Sequence, residues 1–81
     1  MSIRIESGHM ACEVAGAVVA TARFSQYAAA DGNGAWIVST HTARLFTRDQ
    51  AITALALAGR LAVGYGDDDP FVRSWRAELF L

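Results

Sequence analysis

The sequence predicts a small α+β domain, with an antiparallel sheet of two or three strands packed on two C-terminal helices. Three observations carry this expectation. Residues 2–7 alternate apolar and polar side chains, the pattern of a half-buried strand. Asp31-Gly-Asn-Gly34 separates two runs rich in aromatic and β-branched residues, as a hairpin turn would. After it, two segments with helical apolar spacing each follow a capping residue, Thr47 and Asp69.

The elements follow in order. Ile3 and Ile5 share one face of the first strand, which Gly8 closes. Over residues 10–22 the alanines and the i, i+4, i+8 spacing of Val14, Val18 and Ala22 favour a helix. Gly16 interrupts it, so residues 10–16 read instead as a turn or an irregular edge. Val18–Tyr27 reads as a strand on its β-branched Val18, Val19 and Thr21 and the alternation that follows. The turn is expected over Ala29–Ala35, and Trp36–Thr42 is the returning strand, which sets Phe24–Tyr27 against Trp36–Ser39. Arg44–Phe46 continues that strand or leaves the sheet.

Thr47-Arg-Asp-Gln50 has the spacing of a capping box, so the first helix should run from Arg48 to about Val63 and stop at Gly64. On a helical wheel Asp49, Gln50, Thr53 and Arg60 form a polar arc of roughly 100°. Ile52, Leu55, Ala58, Leu61, Ala62 and Val63 fill an arc nearer roughly 200°, which calls for cover from two directions. Leu57 falls in the polar arc and is expected to be an exposed contact residue. Asp69 and Pro70 occupy the N-cap and first-turn positions of a second helix. Phe71, Val72, Trp75 and Leu79 line its apolar stripe, with Arg73 and Arg76 directed away.

Composition narrows the function classes. The chain has 81 residues, 53% hydrophobic and 19% charged, with a net charge of −1. This is one domain with a modest core, outside the disordered regime. All seven basic residues are arginine, and the near-neutral balance gives no general attraction for phosphate backbones or anionic lipid. Cys12 is the single cysteine, so no intramolecular disulfide forms and a reducing cytoplasm is expected. The start lacks the pattern of a signal peptide, and no apolar run is long enough to span a bilayer. Gly8-His9-Met10 also has the form of a cloning scar.

The chemical constellations are sparse. Asp67, Asp68 and Asp69 precede Pro70 and are explained as a helix cap that complements the dipole. His9, Cys12 and His41 give three zinc-ligand types with no fourth, so neither a metal nor a cofactor is expected. Neither glycine pair, Gly32/Gly34 or Gly64/Gly66, has the helix and lysine of a phosphate loop. No catalytic set emerges, and the reading is a non-enzyme. Its expected role is an interaction or regulatory module, a homodimer or docked on a larger protein partner, acting through an apolar helical surface or a sheet edge. Leu57, Leu61, Trp75, Leu79 and Phe80 are the candidate partner-binding residues. The alternative is single-stranded nucleic-acid binding, with Arg23, Arg44 and Arg48 steering the backbone and Trp36 stacking a base.

Three runs carry a resemblance: Gly34-Ala-Trp-Ile-Val-Ser-Thr-His41, Leu45-Phe-Thr-Arg-Asp-Gln-Ala-Ile-Thr-Ala-Leu55 and Asp68-Asp-Pro-Phe-Val-Arg-Ser-Trp75. Within residues 34–75 the chain resembles small uncharacterised proteins of actinobacteria and their phages. The resemblance implies no activity and transfers no functional residue.

Overall fold

A computed structural model describes residues 1–28 and 33–81. The chain is an α+β domain whose sheet has five antiparallel strands, more than the two or three expected. β1 (Ser2–Glu6), β2 (His9–Val14), β3 (Ala17–Ser25), β4 (Ala35–Val38) and β5 (Leu45–Phe46) pair in sequence order as a meander. Then α1 (Arg48–Val63) crosses one face of the sheet, and α2 (Pro70–Leu79) packs against α1.

Two strands are added: β5, where Arg44–Phe46 was read as continuing β4 or leaving the sheet, and β2, where a turn or an irregular edge was expected. Met10 and Cys12 point into the core and are fully buried, although Ala11 between them is a weak strand former. Burial against α1 overrides propensity here. Gly16, read as an interruption of the run, turns the β2–β3 hairpin. Ala15 and Gly16 both have positive φ, 53° and 80°, as a two-residue turn with right-handed strand twist requires. In β3, Cys12 pairs with Ala20 but Glu13 with Val18, so Val19 is skipped. This bulge leaves Val18 exposed while Val19 packs against the core.

The β3–β4 hairpin pairs Phe24 with Trp36 and Ala22 with Val38, a register shifted by three residues from Phe24–Tyr27 facing Trp36–Ser39. β4 ends at Val38, and Ser39 and Thr40 form a turn instead of extending the strand to Thr42. The turn expected over Ala29–Ala35 lies partly outside the described residues.

The helices start and stop as their caps dictate. The Thr47 hydroxyl accepts the Gln50 amide, and the Gln50 side chain accepts the Thr47 amide at 2.9 Å. Gly64 ends α1 in the left-handed region, φ 120°. Asp69 caps α2 by accepting the Val72 amide at 3.0 Å.

The sheet and α2 divide the circumference of α1 differently from the wheel reading. Ala51, Leu55 and Gly59 lie on the sheet side, and a Cβ at Gly59 would stand 2.7 Å from Cys12 Sγ. Part of the polar arc does not face water: α2 sits on Thr53 and Arg60, while Asp49 stays exposed. Thr53 donates to Glu78, and Arg60 is bidentate to Asp69 at 2.6 and 2.9 Å. Leu57, expected to be exposed, is buried at 3% between these polar contacts. Leu79 is fully buried beside it in the same core.

Candidate interaction cleft

Between the layers lies a concave site. Because α2 hangs from one flank of α1, it leaves a gap above the turn that follows β4. Ala54, Leu57, Ala58 and Leu61 of α1 floor this cleft, Thr40 and His41 form one wall, and Arg76 of α2 forms the other. Its volume is about 220 Å³, below the roughly 300–1,000 Å³ of sites for drug-sized molecules. A single side chain or a fragment of that size fits it.

Each polar wall residue is fixed in place. The His41 ring meets the buried Phe46 ring edge-on, with centroids 6.3 Å apart. Its Nδ1 shares a 2.9 Å hydrogen bond with Thr40 Oγ1, while its backbone N–H donates to the Val38 carbonyl. Arg76, expected to point away, is half-buried. Its Nε lies 3.2 Å from Asp67 Oδ1, within ion-pair range but off the hydrogen-bond line. That buried N–H finds no hydrogen-bond acceptor among the described residues. Asp67 is the charge partner of this guanidinium, whose exposed part borders the cleft.

The opposite flank of α2 is a brace. The Arg60 guanidinium stacks 4.0 Å from the Tyr65 ring and 4.7 Å from the Phe71 ring. Phe71 in turn packs on Trp75, 5.8 Å between centroids. The hydrogen bonds from Arg60, aided by the Val72 amide, hold the Asp69 carboxyl below the ordinary aspartate range. One ion pair thus fixes the α2 cap and the α1–α2 angle together, and so the width of the cleft.

The candidate partner-binding residues divide among these features. Leu57 and Leu61 come together in the cleft, Leu61 at its exposed rim. Trp75 is half-buried in the brace, and Leu79 is core, so neither Leu79 nor the body of Leu57 is an open surface. Phe80, 85% exposed, is the one that projects freely. The residues of the nucleic-acid alternative do not form one face. Trp36 is 7% exposed within the core, Arg44 lies over Phe46 at 5.1 Å, and Arg23 points to the other side of the sheet from Phe24 and Trp36. Arg48 is exposed at the start of α1. Sequence reasoning missed His41, Thr40 and Arg76 as cleft walls, since only the angle of α2 brings them to Leu57 and Leu61.

Burial pushes the Cys12 thiol up, away from the thiolate that nucleophilic or metal chemistry needs. His9 lies on the opposite face of β2, because an offset of three residues along a strand inverts direction. Among the described residues, no three His, Cys, Asp or Glu side chains gather as a metal site. No described helix is long and apolar enough to cross a membrane. No family model matches the chain, and neither a curated protein nor a solved structure is significantly similar to it.

Proposed function

We propose that this chain is a small non-enzymatic interaction module, homodimeric, whose cleft receives a partner's apolar side chain set beside a carboxylate. The observation that supports it most is the pairing of an aliphatic floor, Leu57 and Leu61, with the partly exposed Arg76 guanidinium that walls the same cleft. Apolar contact supplies affinity in such a site, and a guanidinium orients a carboxylate. The single buried Cys12 fits a reducing cytoplasm as its location. We also propose kinship with the small actinobacterial and phage proteins, on the three runs of residues 34–75.

The probe is N-acetylleucine, titrated into isotope-labelled protein and followed by amide NMR shifts. Shifts centred on Thr40, His41, Leu57, Leu61 and Arg76, and lost in Leu61→Glu and Arg76→Ala, are the expected result. Shifts scattered over the surface, or unchanged by both variants, would remove the cleft from consideration.

A further inference from the structure

The two edges of the sheet are treated unequally. β5 is two residues long and runs directly into α1, which leaves little backbone to pair. β1 is five residues of regular strand without proline or bulge, and among the described residues only β2 pairs with it. Exposed edges of this kind recruit other strands unless something blunts them.

Backbone directions along β1 follow from one hydrogen bond. The Phe24 amide donates to the Gly8 carbonyl at 2.9 Å, beside the His9–Arg23 pair. His9 and Arg23 are therefore a non-hydrogen-bonded pair, and the N–H and C=O of His9 point towards β1. Glu6, opposite His9, is then hydrogen-bonded to β2, as are Arg4 and Ser2. Ile3 and Ile5 direct their N–H and C=O out of the sheet edge, where no described strand meets them.

Side chains complete the pattern. Ile5 shares the inner face with Met10, Ala22 and Val38, yet is 48% exposed because α1 does not cover that corner. Arg4 and Glu6 flank it on the outer face, where Arg4 donates to Glu13 of β2 at 3.1 Å and, 62% exposed, keeps further donors open towards the edge. We propose that β1 pairs antiparallel with β1 of a second copy about a two-fold axis at Ile5. In that register Ile5 exchanges both backbone hydrogen bonds with Ile5 of the second copy, and the two side chains cover each other. Arg4 of each copy stands opposite Glu6 of the other. Centring on Arg4 keeps the hydrogen bonds possible but sets Arg4 against Arg4, and like charges directly opposite are unfavourable. Centring on Ile3 leaves Ile5 opposite Met1 and Glu6 with no counter-charge. Charge thus selects the Ile5 register, giving an isologous joint that continues the sheet.

This inference rests on the homodimer reading above and names its surface. Three variants test it by light scattering and native mass spectrometry on the full chain: Arg4→Glu, Glu6→Arg and the two combined. Each single variant should associate at least roughly tenfold more weakly than wild type, since both cross-strand charge pairs turn repulsive. The combined variant should associate more tightly than either single variant, short of wild type because the glutamate placed at position 4 then faces Glu13 of its own chain. A mixture of the two single variants should form the mixed dimer in preference to either homodimer. Ile5→Pro, which removes only an outward N–H from the ladder, should be folded by circular dichroism yet monomeric. Variants that all associate like wild type would overturn the β1 joint while leaving a homodimer by another face. A mixed dimer of wild type with Arg4→Glu, favoured over the mixture of single variants, would overturn the register. A wild-type chain that stays monomeric at every concentration would overturn both the joint and the homodimer.

Discussion

Gly59 lies in the fourth turn of α1, where alanine should ordinarily stabilise a helix by about 1 kcal/mol. In this fold the expected sign is reversed. A Cβ there would stand 2.7 Å from Cys12 Sγ and 2.8 Å from Met1 Cγ. Met1 is exposed and can swing aside, but Cys12 is fully buried in the core. The carbon–sulfur contact is roughly 1 Å short of ordinary packing distance, so α1 must lift from β2 or β2 must yield. Overpacking of this kind costs about 1–3 kcal/mol. Set against the propensity gain, Gly59→Ala should destabilise by about 0–2 kcal/mol, with roughly 1 the central value. In a domain of this size, that lowers the melting temperature by about 4–8 °C. Urea unfolding measured by circular dichroism reads the change directly. Cys12→Ala removes the clashing sulfur, so the double variant should show favourable coupling between the sites. A melting temperature raised by Gly59→Ala alone would refute the close approach of α1 to β2, and with it the packing of the sheet layer.

Three further outcomes follow from particular residues. Leu79→Ala should cost about 2–5 kcal/mol, since its side chain is fully buried, whereas Phe80→Ala should stay within about 0.5 kcal/mol; equal losses in chemical denaturation would contradict the end of α2. Ala15→Asn should stabilise by about 0.5–1 kcal/mol, because Ala15 holds φ 53° in a turn that suits asparagine–glycine; a lower melting point would count against the β2–β3 hairpin. Asp69→Asn tests the brace through pH. The folded carboxyl titrates below its unfolded value, so its contribution is fully present above the ordinary aspartate range and is lost as pH falls through the folded value. The stability gap between wild type and Asp69→Asn should therefore narrow below about pH 4, and a gap independent of pH would show that Arg60 does not act on this carboxyl.

Local chemistry made the helices legible and left the layers obscure. Thr47, Gln50, Gly64, Asp69 and Pro70 mark helix ends by interactions within a few residues, so both helices appear where their caps require. β2 was hidden because Met10, Ala11 and Cys12 form a strand only when α1 and two neighbouring strands bury them. The polar arc of α1 misled for a related reason. Arg60 and Thr53 look solvated until α2 supplies Asp69 and Glu78, and Leu57 makes sense only as the apolar centre of that seam. The cleft inherits the same difficulty: Leu57 and Leu61 were visible as candidates, but the walls at His41 and Arg76 come from a turn and a helix that only tertiary packing sets side by side.

The central claim is that a second copy completes this domain along β1. Sedimentation equilibrium of the wild-type chain over a wide concentration range tests it most directly. The account predicts a mass that rises reversibly from 8.7 kDa towards twice that value, and that in Glu6→Arg rises only at concentrations at least roughly tenfold higher. A wild-type mass fixed at 8.7 kDa throughout would contradict it.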